Sequence, residues 1–387
     1  MDLSYILNEL GEERSEYFNA VAPPIIQTSN FRVNKVEELK KLFADEYSGY
    51  LYSRGLNPTV DILRKKLAAL DQAEDCLVFN SGAAAIFVAV LANVNAGDHI
   101  ISVENPYSWV KRMFDLIFQR FGVETTYIAG TEIEQFEKAE RPNSRFIYLE
   151  SPNSWSFAIQ DMEKVAAFAK RRKLITLMDN SYCTPLYQKP IPMGIDISMQ
   201  TATKYVGGHS DTLGGILTGS RQMIKKIFDC EYMAVGSGIQ PFNAWLLIRG
   251  LRTLDTRLAR ITATTREVLS YLKNHPMVES VLFPLDKSFP QYELARKQME
   301  NAGGLISFFV KARERKEIVR FCENLKHIMM AVSWGGHESL ILPRCASLND
   351  IDFDKDNKEH RMLRLYVGLE SAEYLIRDLD QSFRLSF

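Results

Sequence analysis

Apolar positions in the first two thirds of the chain alternate between helical stripes and short runs. Val60, Leu63, Leu67 and Leu70 fall on one helical face. The spacing predicts a helix over 59–70, opened by Pro58 at its first turn. Asp75 to Phe79 reads as a strand, Ser81-Gly82 as a turn, and the alanines beyond as a helix. Further strands are predicted at His99–Val103, Glu124–Ile128, Ser144–Glu150 and Leu174–Asp179, with helices after Tyr107 and over Met162–Arg172. Such a rhythm builds a largely parallel sheet covered by helices, with its site at the strand ends. Before it, residues 1–50 read as an arm. Pro23 and Pro24 keep it extended, Val36–Phe43 forms one short amphipathic helix, and so apolar an arm is expected to lie on a neighbouring subunit. After Gly215 the pattern changes. A long helix from Asn243 through Arg257 is expected as the hinge, followed by strands at Glu279–Phe283 and Gly304–Val310 with helices between. Lys311–Glu317 reads as a solvated helix start. The expected division is an arm at 1–50, a larger domain at 51–237 and a smaller α+β domain at 238–387.

Composition narrows the function. A chain of 387 residues holds two domains with sizeable cores. Its 47 Lys and Arg nearly balance 48 Asp and Glu, so no field favours nucleic acid or an anionic membrane. Met1–Tyr17 is polar and acidic, unlike a secretory signal. Leu77–Val94 is apolar but broken by Asn80, Ser81 and Gly82, which suits a core strand and helix rather than a membrane span. The five cysteines show no CxxC and no zinc spacing. They fit reduced thiols of a cytoplasmic protein without a metal site.

The chemistry centres on Met199–Gly215, where Lys204 lies between Thr201, Thr203 and a glycine-rich turn. A lysine in a loop is ordinarily a solvated charge. Here the Leu174 strand also delivers Asp179 at its end, and a lysine with a carboxylate is what pyridoxal phosphate chemistry requires. Ser81-Gly82-Ala83 at a helix start offers backbone N–H groups to a phosphate without the Walker A spacing, although small residues also serve close helix packing. Tyr52 with Arg54, and Tyr107 in a strand-end loop, are either packing residues or ligands. Arg364 lies within an apolar strand, where it meets an internal acid or a substrate carboxylate. Ser333-Trp334-Gly335-Gly336 is a glycine-bent turn holding an indole donor.

These blocks together are specific. Tyr52-Ser-Arg54, Ser81-Gly-Ala, Met178-Asp-Asn, Ala202-Thr-Lys-Tyr with Gly208-His-Ser-Asp, Arg249-Gly-Leu-Arg-Thr-Leu and Arg364-Leu-Tyr-Val-Gly-Leu-Glu resemble the cysteine/methionine-metabolism family of pyridoxal phosphate enzymes from about Ala22 onward. The resemblance implies an α/β, aspartate-aminotransferase-like (type I) fold. It makes Lys204 the Schiff-base lysine, Asp179 the partner of the pyridine nitrogen and Tyr107 the residue stacked on the ring. Gly82, Ala83, Thr201 and Thr203 would hold the phosphate, joined by Tyr52 and Arg54 of an adjacent subunit, with Ser154 also at the cofactor. Arg364 would take the substrate carboxylate, with Ser333 and Trp334 beside it. The implied assembly is a homo-oligomer with shared sites, expected as a dimer of dimers.

Within the family, Ser333-Trp334 and Glu150-Ser-Pro-Asn-Ser154 most resemble bacterial cystathionine β-lyases. β-Elimination of cystathionine to homocysteine, pyruvate and ammonia is therefore expected. Val332 departs from that pattern and matches methionine γ-lyases, so γ-elimination or γ-replacement is the alternative. A silent, regulatory relative would be expected to lack Lys204, Asp179 or Arg364, and all three are present.

Overall fold

The computed structural model describes residues 1–387 and divides into two compact units. The larger comprises Met1–Ser151, Ile159–Gly207 and Asp211–Arg252; the smaller comprises Pro152–Ala158, Gly208–Ser210 and Thr253–Phe387.

The larger unit is built on a seven-stranded sheet: β1 (Asp75–Phe79), β2 (His99–Val103), β3 (Glu124–Ile128), β4 (Ser144–Glu150), β5 (Ile175–Asp179), β6 (Ile197–Thr201) and β7 (Gly215–Gly219), in the order β1-β7-β6-β5-β4-β2-β3. Strands β2 to β6 pair in parallel, while β7 runs antiparallel to both β1 and β6. The Val, Ile, Leu and Phe content of β1, β2, β4 and β5 suits strands buried on both faces, whereas edge strand β3 is partly exposed. The predicted helices form at Pro58–Leu70, where Asn57 accepts from Thr59 N and Pro58 occupies the first turn, and at Met162–Arg172, capped by Asp161. The 36–44 helix buries none of its residues, and Phe18, Val21, Val36 and Phe43 are all exposed. The first part of the arm packs on its own unit. Buried Glu12 receives Lys66 at 3.1 Å and Arg252 at 3.0 Å, and Lys66 Nζ also donates to Ile6 O. No helix is long and apolar enough to cross a membrane.

The smaller unit holds a five-stranded sheet: β8 (Val278–Leu282), β9 (Leu305–Val310), β10 (Met329–Met330), β11 (Leu340–Pro343) and β12 (Met362–Tyr366), in the order β10-β11-β12-β9-β8. Helices 254–274, 315–324 and 372–386 belong to it. The single helix expected from Asn243 through Arg257 is instead two, Pro241–Leu251 and Leu254–Asn274. Thr253, at φ −112° and ψ 9°, interrupts the ladder, and the division between the units falls beside it. Residues 311–314 precede the next helix, which is opened by a capping box between Glu314 and Glu317.

Candidate active site

In the larger unit, Lys204 lies in the connection between β6 and β7, whose ends are paired at Thr201 and Gly215. Ala202 N donates to Gly214 O at 2.9 Å and Gly207 N to Ala202 O at 2.8 Å, so the lysine sits on a hydrogen-bonded turn. Thr203 Oγ1 accepts Gly214 N at 3.2 Å. Gly208, where this segment joins the smaller unit, has φ +70°, and a Cβ there would lie 2.0 Å from Arg257 Nη1. Only glycine meets both conditions.

Asp179 ends β5, in register with Glu150 on one side and Met199 on the other. It is 8 % exposed. Ser181 N donates to its Oδ1 at 3.0 Å, and Ser181 Oγ accepts Thr201 N at 2.8 Å, which ties the aspartate to the strand before the lysine. Burial raises the Asp179 carboxyl above the ordinary carboxylate value, while Ser181, Tyr148 and the charge of Lys204 pull it down. A carboxylate so placed gains most from a cation directly against it.

Ser81 caps the Gly82–Leu91 helix, its Oγ accepting Ala84 N at 3.2 Å. The N–H groups of Gly82 and Ala83 belong to the first turn, which has no intrahelical acceptors and sits at the positive end of the helix dipole. A Cβ at Gly82 would stand 2.9 Å from Thr201 Cβ and 3.1 Å from its hydroxyl. The cup and Thr201 are therefore adjacent. Tyr107 precedes helix 108–112, and its N–H donates to buried Glu150 Oε2 at 2.7 Å. Tyr107 is 44 % exposed, and partial desolvation, with Asp179 and Glu150 nearby, raises its phenol. Tyr52 and Arg54 are exposed, the guanidinium carbon 5.5 Å over the tyrosine ring. An amine, a buried acid and a hydroxyl-lined helix start are the donors that pyridoxal phosphate needs for its aldehyde, ring nitrogen and phosphate, and the residues present fit it.

In the smaller unit, Arg364 lies on β12 opposite Ser307 of β9 and Leu342 of β11, 7 % exposed. Its Nη1 donates to Ser154 O at 3.3 Å, and its guanidinium carbon is 4.7 Å over Trp155. Ser154 thus stands with the arginine. Ser333 has φ +81° and Trp334 is 6 % exposed, within loop 331–339. That loop is fastened at both ends. Asp378 accepts the N–H groups of Lys326, His327 and Ile328, each at 2.9 Å, just before β10. Burial would raise the Asp378 carboxyl, but these bonds outweigh it and hold it below its usual value. At the far end Glu370 accepts both Ser339 N and Ser339 Oγ at 2.8 Å.

Sequence reasoning missed several of these partners. Ser181, two residues after Asp179, follows the local Asx-turn pattern and was detectable. Glu150 is legible as the end of a predicted strand, where the site is expected; Trp155 and Asp378 act across long separations, and no local signal announces them.

The family described as Cys/Met metabolism PLP-dependent enzyme matches residues 6–384. The chain is 36 % identical over 375 residues to L-methionine gamma-lyase of Treponema denticola, covering 94 % of this chain and 92 % of that one. It is 34 % identical over 379 residues to cystathionine gamma-lyase of Bacillus subtilis, covering 96 % of each. Its fold is similar to the crystal structure of metB from Corynebacterium glutamicum, with TM-score 0.91, 29 % identity, and coverage of 100 % and 98 % of the two chains.

Proposed function

The chain belongs to the Cys/Met metabolism PLP-dependent enzymes, and we propose that it cleaves a carbon–sulfur bond of a small sulfur amino acid by γ-elimination. The observation that carries the site is buried Asp179, whose surroundings include Lys204 and whose strand is tied to Thr201 through Ser181. The γ-lyase names of the relatives support γ-elimination over the β-elimination that Ser333-Trp334 suggests. Val332, which matches methionine γ-lyases, supports it too.

Bound pyridoxal phosphate supplies the sink for the electron pair left when the Cα–H bond breaks. Lys204 takes the Cα proton and then moves the proton at Cβ, which γ-elimination also needs. Asp179 holds a proton on the ring nitrogen, and the Gly82–Ala83 cup with Thr201 and Thr203 holds the phosphate. Tyr107, on the loop beside Glu150, donates to the departing sulfur. Arg364 binds the α-carboxylate. With one water consumed, the products are 2-oxobutyrate, ammonia and a thiol. Exposed Tyr52 and Arg54 complete the phosphate site of a second copy.

The second reading, β-elimination, rests on Trp334, buried beside Ser333. Cystathionine separates the two: γ-elimination yields 2-oxobutyrate with cysteine, and β-elimination yields pyruvate with homocysteine. Pyruvate as the dominant keto acid would replace the first reading with the second.

A further inference from the structure

Trp155 carries two guanidinium groups. Arg364 lies 4.7 Å and Arg344 5.0 Å from its ring centroid. The two guanidinium carbons are thus within about 10 Å of each other, both at cation–π distance from one indole. The placement is built from several directions. Trp155 O accepts Ser307 Oγ at 2.8 Å, and Ser307 is the β9 partner of Arg364, so the tryptophan sits over that register position. Arg344 follows two residues after Leu342, the partner of Arg364 on its other side.

We propose that Arg344 and Trp155 form a second anion subsite beside Arg364, which selects sulfur amino acids bearing a carboxylate at the distal end. The proposal rests on the reading of the chain as a carbon–sulfur lyase with Arg364 on the substrate α-carboxylate. Burial gives the pair a direction. Arg364 is 7 % exposed, whereas the Arg344 side chain is 31 % exposed. The α-carboxylate belongs at the buried end, and the distal group reaches outward to Arg344. A guanidinium stacked on an aromatic face keeps its N–H donors in its own plane, beyond the ring edge, where a carboxylate binds two of them at once. Two cations on one indole also repel each other, and an anion bound at either guanidinium relieves that repulsion.

Arg344 has one acidic partner, Glu359, through Nη2 at 2.9 Å. The glutamate is 60 % exposed, and such surface pairs are weak. An arriving carboxylate meets Nε and Nη1. Methionine, whose distal end is a methyl thioether, gains nothing from this subsite. Cystathionine, which ends in a second amino-acid head, does.

The experiment has two arms. In the first, the holoenzyme and its Arg344→Gln variant are assayed on cystathionine and on methionine. The ratio of their kcat/KM values is expected to fall about tenfold in the variant, chiefly through KM for cystathionine, as loss of one charged hydrogen-bonding group implies. Arg344→Lys, which keeps the charge but not the fork, should recover part of it. A ratio unchanged within about twofold overturns the proposal. In the second arm, binding of adipate and hexanoate to the same proteins is measured by titration calorimetry. Adipate should bind the wild type more tightly and lose that advantage in Arg344→Gln; equal affinities in the wild type overturn the proposal. This arm needs no turnover. A protein inactive on both amino acids would therefore defeat the proposed reaction while the subsite is still decided.

Discussion

Ser210 Oγ donates to Glu338 Oε1 at 2.6 Å. Ser210 stands six residues after Lys204 in the chain, at φ +58°, and Glu338 lies in loop 331–339 with Ser333 and Trp334. The bond fastens the segment leaving the lysine turn to the loop expected to line the substrate. Hydrogen bonds to a charged acceptor contribute about 1.5–3 kcal/mol. Glu338→Ala should therefore lower kcat/KM about tenfold, and Glu338→Gln, which retains a carbonyl acceptor, should recover most of it. Steady-state kinetics on the three proteins decides this; an equal loss in both variants would assign the effect to charge rather than to the bond.

Lys204→Ala should retain cofactor weakly, through the Ser81-Gly82-Ala83 cup and Asp179, but lose turnover. Proton transfer by a positioned group is worth roughly 100- to 10,000-fold. The wild type should show a Schiff-base absorbance that borohydride abolishes. Full activity in Lys204→Ala would remove the mechanism.

Asp71 makes a prediction independent of the site. It follows helix 58–70 and is fully buried, accepting Thr218 Oγ1 at 2.5 Å, while its Oδ1 and the Ser198 hydroxyl have no hydrogen-bond partner. Burial pushes its carboxyl up to about 6. The folded state then holds a proton that the unfolded chain releases near pH 4, so stability is fully present below about pH 4 and declines as pH rises toward 6. The loss is roughly 2–4 kcal/mol. Asp71→Asn should raise Tm by several degrees at pH 8 and leave it little changed at pH 4, as read by thermal melts. A gain of the same size at both values would contradict the burial argument.

Exposed Tyr52 and Arg54 predict that a complete site needs two copies of the chain. Mixing Arg54→Ala with Lys204→Ala should regain part of the lost activity, since one hybrid site then carries both native residues. Absence of regain after demonstrated subunit exchange would count against shared sites.

Much of the architecture was legible because period-2 and period-3.6 patterns survive burial: the helix at 58–70 and strands β2 to β5 form where the spacing places them. The division of the 243–257 helix was not legible, since Thr253 is neither Gly nor Pro and only its backbone angles show the break. Strands β6 and β7 were hidden by the conspicuous lysine motif between them. Lys204 and Asp179 could be named because each lies in a local motif with few other uses. Trp155 could not, because its two arginines lie about 190 and 210 positions away in the chain, and the single sequence holds no trace of that meeting.

The pairing of Thr201 with Gly215 makes residues 202–214 a loop closed by the sheet itself. Closure entropy grows only slowly with length, each doubling adding about 0.6 kcal/mol. That allowance does not extend to 202–207, where Ala202, Tyr205 and Val206 are buried and Gly207 N bonds Ala202 O. An extra residue there would break this packing and lower the melting temperature while moving the amine by the length of a peptide unit. In this half of the loop the position of the amine and the stability of the fold are read by the same melt.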